Sequence, residues 1–415
     1  VRDAQAGRMT HPGLTAPALT GGPRPGLCTD CGVSRISDGK DCGRACQFIK
    51  PDYPVLEASV HGRVAEPARG EEAFFGPCLA MHRAALKPPA EGAQWTGITT
   101  ALAARLLETG AVTAVLTVAP DPQDPWRPMP VIVTDAAALA QCRGMRMGYA
   151  PTLALLEPAR AAGHTRIAMI GIPCQVYALR ALERELRLDR LYVIGTPCSD
   201  NTTTENFHAF LKLIDPAPEG VSYFEFRADY RCEIRYSDGR ATRAVPFLKL
   251  PLSKLPADFF PVTCRTCVDY TNRLADITVG YMAGTGEQWV IVRNARGAEM
   301  LELLGDRISL ASLQDKGNRR GAVKGFMANT ARAAGGLPLR SMPDWARPIV
   351  AFLQPRIGPR GLEFARARVE MKAVETVLHL RRLFPARIKN MVPAHVWRLV
   401  APYGLIPDKG ETRDD

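Results

Sequence analysis

Eight of the eleven cysteines fall into two groups of four, and a thiolate quartet has few chemical uses. Cys28, Cys31, Cys42 and Cys46 lie in the run CTDCGVSRISDGKDCGRAC, spaced C-x2-C-x10-C-x3-C. Cys174, Cys198, Cys264 and Cys267 are spread over GIPCQ, GTPCSD and CRTCVDY. Four thiolates at one point repel one another unless a cation or a cluster sits between them; zinc and an iron–sulfur cluster are the common occupants. The first group reads equally well as either. In the second, the plain alternative is that Cys174 and Cys198 are small buried hydrophobes and only Cys264 and Cys267 bind anything. Cys232 falls in a strand pattern and Cys142 in a helical one, which leaves Cys78 as a spare ligand candidate.

A second feature is the turn Gln94-Trp95-Thr96-Gly97-Ile98-Thr99-Thr100, which opens a helix. Amides and hydroxyls at a helix N-terminus form a ready phosphate site, although threonines before a helix are also routine caps. No G-x-G-x-x-G, Walker loop or Ser/His/Asp triad is present, and His61 and His82 read as surface or interface histidines.

The elements that must position these residues alternate from about residue 97. Helices are expected at Ile98 to Leu107, Thr152 to Ala162 and Gln175 to Leu188, with strands at Ala111 to Val118, Arg166 to Gly171 and Leu191 to Gly195. This spacing argues for βαβ units and a largely parallel sheet. Cys174 and Cys198 then each follow a strand end, where ligands collect in open α/β sheets, and Pro173 and Pro197 stiffen both turns. Val221 to Ala228, Cys232 to Tyr236 and Arg240 to Phe247 read as antiparallel strands with a hairpin turn at Asp238-Gly239. Ala275 to Met282 and Gln288 to Arg293 add two strands, and a helix begins at Gly297. The expected organisation is a tail over 1–26, a cysteine-bearing module over 27–90, one α/β body over 91–310 and a helical extension over 311–415.

With 46% hydrophobic residues, the chain of 415 can bury a large core. No run of about 18 apolar residues suggests a membrane-spanning helix. The N-terminal stretch has no apolar block of signal-peptide type, so a reducing cytosol is expected, where C-x-x-C pairs serve metals or redox chemistry. A net charge of +11 favours an acidic partner, such as a small acidic electron carrier, a carboxylated substrate or an anionic membrane surface. Arg-rich composition from a GC-rich genome explains the charge equally well. Nucleic acid lacks a recognition motif here. Val374 to Val400 mixes Arg and Lys with apolar residues; it is read as packed against the body or another subunit, in a homo-oligomer, with a membrane surface as the alternative.

EGAQWTG, CQVYALR, LYVIGTPCSDN, CRTCVDYTNRLADITVGYM, QWVIVRNARGAEML and GPRGLEFAR together resemble the bacterial and plant branch of the deazaflavin-hydrogenase beta-subunit family. That branch contains ferredoxin-dependent divinyl chlorophyllide 8-vinyl reductases and 7-hydroxymethyl chlorophyll a reductases. The resemblance implies FAD and two 4Fe–4S clusters within a mixed α/β sheet. It makes Cys174, Cys198, Cys264 and Cys267 the ligands near the flavin, and Cys28, Cys31, Cys42 and Cys46 those of the N-terminal cluster. The family's usual C-x2-C-x2-C is broken by Ser34, with Cys42 as its replacement. Gln94, Trp95, Thr96, Gly97, Thr99, Thr100, Asn201, Thr202, Met282, Arg293 and Asn294 resemble flavin-contacting positions. The implied activity is reduction of the 8-vinyl group of divinyl chlorophyllide or protochlorophyllide by reduced ferredoxin, in the cytoplasm or at the edge of a photosynthetic membrane. The short Gly284-Thr285-Gly286 turn before QWVIVRN favours that activity over 7-hydroxymethyl or deazaflavin reduction. Asp200, His61 and Tyr281 have the chemistry of a proton donor; turn capping, surface exposure and packing are their plain alternatives.

Overall fold

A computed structural model describes residues 11–23, 28–37, 42–227, 229–280 and 286–413. The strands in chain order are β1 (Leu14–Thr15), β2 (Ala80–Leu86), β3 (Ala114–Asp121), β4 (Asp124–Val133), β5 (Arg166–Gly171) and β6 (Arg190–Gly195). There follow β7 (Val221–Phe226), β8 (Arg231–Tyr236) and β9 (Arg243–Pro246), then β10 (Ile277–Gly280), β11 (Gln288–Val292) and β12 (Ile308–Ala311). Nine of them form one sheet in the order β1-β4-β3-β5-β6-β10-β11-β2-β12. Its centre, β3-β5-β6-β10, is parallel, and both flanks are antiparallel.

Near-continuous apolar runs such as RIAMIG and RLYVIG require cover on both faces, as parallel strands do. Successive side chains alternate between two cores. Ile167 and Met169 pack with Val176, Leu179 and Leu182 of the helix Pro173–Leu186, while Ala168 joins Leu102 and Leu106 of the helix Ile98–Glu108. The strands and helices expected from residue 97 to 195 are present to within a few residues.

Four sheet strands, β1, β2, β4 and β12, escape the sequence pattern. β4 reads DPWRPMPVIV, and its prolines argue against a central strand. They are tolerated because its outer side is paired only at Val133 and Ile132, by Leu14 and Thr15. The expected N-terminal tail therefore contributes an edge strand, with Leu14 buried. β2 lacks β-branched residues, yet it is held on both sides by β11 and β12.

The strands β7, β8 and β9 form a separate three-stranded sheet. Gly239, at φ +86°, sits in the turn expected at Asp238-Gly239. This sheet packs on the helix Thr204–Ile214 through Phe207, Phe210, Phe224 and Phe259.

The C-terminal region is helical, with Arg319–Arg332, Ala346–Ile357, Leu362–Leu383 and Ala394–Val400 as its main elements. Val374, Val377, Leu380, Val396 and Val400 are buried against Trp289 and Ile291 of β11 and against Phe75. The apolar residues Val374, Val377, Leu380, Val396 and Val400 thus pack against the body, while Arg382, Leu383 and 385–387 between the two helices are exposed. Apart from Leu383 and Ile406, the large exposed apolar residues of the extension sit on Ala346–Ile357 and the residue preceding it: Trp345, Ile349, Phe352 and Ile357 are 74%, 52%, 62% and 61% exposed. Among the described residues no helix is long and apolar enough to cross a membrane.

Candidate redox site

The second quartet is built at the carboxyl ends of neighbouring parallel strands. Cys174 follows β5 in the first turn of the helix Pro173–Leu186, and Pro173 at its start costs no hydrogen bond because the first helical amides have no intrahelical partner. Cys198 follows β6, and its amide donates to the carbonyl of Tyr270 at 3.0 Å. Cys264 lies in the short helix Val262–Arg265; the amide of Cys267 closes the loop on the carbonyl of Cys264 at 3.2 Å. Burial pushes the Cys174 thiol well up, and Cys198, Cys31, Cys264 and Cys267 push it further. Burial does the same at Cys198, with Cys264 and Cys267 adding to it. Burial drives Cys264 to about 12 and Cys267 to about 11. The four thiols therefore share one locale, with Cys264 buried and the other three half-buried, and no disulfide links any of them.

The first quartet is held by loop geometry. Gly32 sits at φ +106°, and a Cβ there would stand 2.5 Å from the amide of Ala154 and 2.7 Å from the carbonyl of Pro151. Only glycine allows both this backbone and this approach. The amide of Leu153 donates to the carbonyl of Cys31 at 3.0 Å, and Arg35 Nε clamps Asp30 Oδ1 at 3.0 Å. Burial pushes the Cys31 thiol up to about 12, with Cys46, Cys42 and Cys28 adding to it. Ser34 donates to the carbonyl of Gly22 at 3.0 Å, and Cys42 is among the thiols whose charge acts on Cys31.

The two quartets adjoin. The helix Cys42–Ala45 packs on Pro173–Leu186, and Cys31 and Cys174 feel each other's charge. Tyr149 lies between them: burial raises its hydroxyl, and Cys264, Cys174 and Cys28 act in the same sense. The segment 149–154 is held from both sides, since Gln175 Nε2 donates to the carbonyl of Ala150 at 2.8 Å while Cys31 and Gly32 press on its other face. Among the described residues no three His, Cys, Asp or Glu side chains converge as for a single metal ion. The charges acting on Cys78 are those of Arg293, Glu72, Arg63 and Glu71.

The turn at residues 94–100 is tightly bent. Trp95 has φ +50° and Gly97 φ +89°. Gln94, Trp95, Thr99 and Thr100 remain half-buried. Thr96 does not face a ligand: it is buried, and its Oγ1 donates to Gln288 Oε1 at 2.9 Å. Asn201 donates to the carbonyl of Gly148 at 2.8 Å, and Thr202 is buried with its hydroxyl on the carbonyl of Phe259. Both brace the Cys198 loop. Asp200 Oδ1 accepts from Lys372 Nζ at 2.9 Å.

Arg293, expected at the flavin's polar edge, is a buried structural arginine. Its guanidinium donates to Thr278 Oγ1 and to the carbonyls of Phe75, Pro77 and Thr271 at 2.8–3.2 Å. It follows the far end of β11 from Gln288, which holds Thr96 and the amide of Ile98. Asn294 caps the helix Ala295–Glu302 by accepting from the amide of Gly297 at 3.0 Å. His61 is likewise spent. Its Nε2 donates to the carbonyl of Arg273 at 2.9 Å, its Nδ1 accepts from Asn294 at 3.3 Å, and burial lowers its pKa to about 3. A neutral, doubly bonded imidazole gives no proton. Tyr281 and Met282, with the Gly284-Thr285 part of the turn, lie outside the described residues.

Lys372, Glu375 and Tyr149 were not legible as site residues. The first two stand in an apolar helical run, and Tyr149 in a segment without pattern.

Residues 81–157 match the model for the N-terminal part of the coenzyme F420 hydrogenase/dehydrogenase beta subunit, and residues 164–316 the model for its C-terminal part. The chain belongs to this family. It is 34% identical to the 7-hydroxymethyl chlorophyll a reductase of rice, over 91% of this chain and 82% of that protein. An uncharacterized protein of Nostoc is 35% identical over 92% of this chain and 95% of its own length. A chain of the F420-reducing [NiFe] hydrogenase complex of Methanosarcina barkeri shares the fold, with a TM-score of 0.51 at 21% identity, covering 57% of this chain and 83% of that one. The family member described here is an oxidoreductase.

Proposed function

We propose that this chain reduces the 8-vinyl group of divinyl chlorophyllide or protochlorophyllide to ethyl, with electrons from reduced ferredoxin. The observation that carries the redox reading is the adjacency of two all-thiol quartets. Four free cysteines per site fit the ligand chemistry of 4Fe–4S clusters. Cys28, Cys31, Cys42 and Cys46 would hold one cluster, and Cys174, Cys198, Cys264 and Cys267 the other. Gln94, Trp95, Gly97, Thr99 and Thr100 would hold FAD, whose diphosphate suits the amides opening the helix Ile98–Glu108. Together such groups turn single electrons into a two-electron reduction.

The chain's own residues supply the setting. The first quartet has exposed Lys50 and Arg387 near it, a basic rim that suits an acidic electron carrier. The segment 149–154 holds the quartets in fixed relation. Vinyl-to-ethyl reduction takes two electrons and two protons. With His61 spent and Asp200 held as a carboxylate by Lys372, Tyr281 remains as the donor among these three.

A second reading keeps the site and changes the acceptor: 7-hydroxymethyl to methyl, with loss of water, again for two electrons and two protons. The identity to the rice reductase favours it. Anaerobic incubation with reduced ferredoxin and each pigment, followed by pigment analysis, separates them; ethyl product from the divinyl substrate supports the first. Turnover of the hydroxymethyl pigment alone sinks it.

Supply of pigment from a membrane falls to the helix Ala346–Ile357. Its exposed apolar face ends beside exposed Arg356 and Arg360, and Lys316 pairs with Arg360 across a short β-ladder. An apolar stripe with a cationic end fits an anionic lipid surface.

A further inference from the structure

The helix Leu362–Leu383 lies outside both stretches matched by the family models, yet it reaches under the second quartet. Lys372 projects from it with 4% of its side chain exposed. Its Nζ donates to the carbonyl of Cys264 at 2.5 Å, to Asp200 Oδ1 at 2.9 Å and to Glu375 Oε2 at 3.3 Å. An ammonium has three donors, and all three are used. One turn along the same face, Thr376 Oγ1 donates to the carbonyl of Cys267 at 3.2 Å. Both cysteines of the C-x-x-C loop are thus held through their carbonyls by one helix.

Burying an ammonium costs several kcal/mol, and a lysine serving only to fill space would be replaced by an apolar residue at no loss. Here two carboxylates, Asp200 at 2.9 Å and Glu375 at 3.3 Å, keep the charge in place. The Lys372 charge stands directly against the C-x-x-C loop, on the carbonyl of Cys264.

We propose that Lys372 is a positioning residue for the iron–sulfur site at Cys174, Cys198, Cys264 and Cys267. It fixes the Cys264–Cys267 loop and, as a permanent cation beside it, raises the reduction potential of the cluster those thiolates hold. The inference rests on the cluster reading above. Reduction adds negative charge, and a cation at short range in a poorly polarisable interior stabilises the reduced form. Asp200 opposes this effect, so the pair sets the potential between them.

The test uses the whole chain purified anaerobically, with iron and acid-labile sulfide measured and both clusters titrated by EPR-monitored reduction. In K372M one midpoint should fall by a tenfold change in the reduction equilibrium, which is 59 mV for a one-electron couple, while the other stays. K372R should restore it. D200N, which strips the opposing charge and leaves the helix intact, should move the same midpoint upward. Should K372M bind no iron, D200N and K372R still decide the matter. An unmoved or falling midpoint in D200N, or iron-replete K372M with both midpoints at their wild-type values, overturns the inference alone. A wild-type chain lacking iron and sulfide overturns the cluster reading and the inference together.

Discussion

Arg180 and Asp276 meet at 2.8 Å with neither side chain exposed to solvent. Asp276 also accepts from Arg296 Nε at 3.0 Å, Asn294 Nδ2 at 2.8 Å and the amide of Val193 at 2.7 Å. One carboxylate thereby ties β6, β10 and the helices Pro173–Leu186 and Ala295–Glu302 into the frame that carries Cys174 and Cys198. Burial alone would raise its pKa, but Arg180 and Arg296 hold it below the usual carboxylate range. Removing one partner of a buried pair leaves the other charge uncompensated, at about 3–5 kcal/mol. Asp276→Ala should lose that much in urea unfolding. A loss under about 1 kcal/mol would show that the pair does not carry the frame.

His61 makes the fold acid-sensitive. Its folded pKa, about 3, lies below the ordinary 6.5, so between these values the unfolded chain binds more protons. Stability is fully present above about 6.5 and is lost as pH falls toward 3; His379, also lowered to about 3 by burial, acts in the same sense. Urea midpoints measured from pH 7 down to pH 4 should therefore fall, and less steeply in His61→Gln. An equal slope in the two proteins would show that His61 titrates normally.

Gly32 is the hinge of the first cysteine loop. Gly32→Ala places a methyl 2.5 Å from the amide of Ala154 in a left-handed conformation, costing more than about 1 kcal/mol. The variant should retain the sheet, as judged by circular dichroism, and lose about half of its iron. Full iron content would contradict the geometry.

Cys42 and Cys78 separate ligand from bystander. Cys42→Ala should cost the first cluster, halving iron and sulfide, whereas Cys78→Ala should leave both unchanged. The reverse result would move the third ligand to Cys78.

The helix Ala346–Ile357 predicts selective lipid binding. The wild-type chain should float with phosphatidylglycerol vesicles and much less with phosphatidylcholine ones, and Phe352→Glu should abolish flotation. Concentration-dependent self-association without flotation would assign the face to a second copy.

Periodicity reported the parallel centre of the sheet, because residues such as Ile167, Met169 and Val193 are buried by their own strand context. It missed β4 because Pro128 and Pro130 speak against a strand, and only the sparsely paired edge beyond them shows why they are allowed. The cysteines stood out because thiols are scarce and chemically specific. Arg293, Asn294 and His61 misled for the opposite reason: arginine, asparagine and histidine serve structure as readily as cofactors. Lys372 was silent because its meaning depends on a contact with Asp200, 172 positions away in sequence.

β2 lies between β11 and β12, made some two hundred residues later. On a ribosome, the stretch following the first cysteine loop therefore waits without neighbours until Gln288–Val292 has emerged. Such long-range pairing is slow to form, so the thiols upstream of it spend the longest time unshielded while the chain is born. If these thiols hold the proposed cluster, this topology defers its insertion to the end of synthesis.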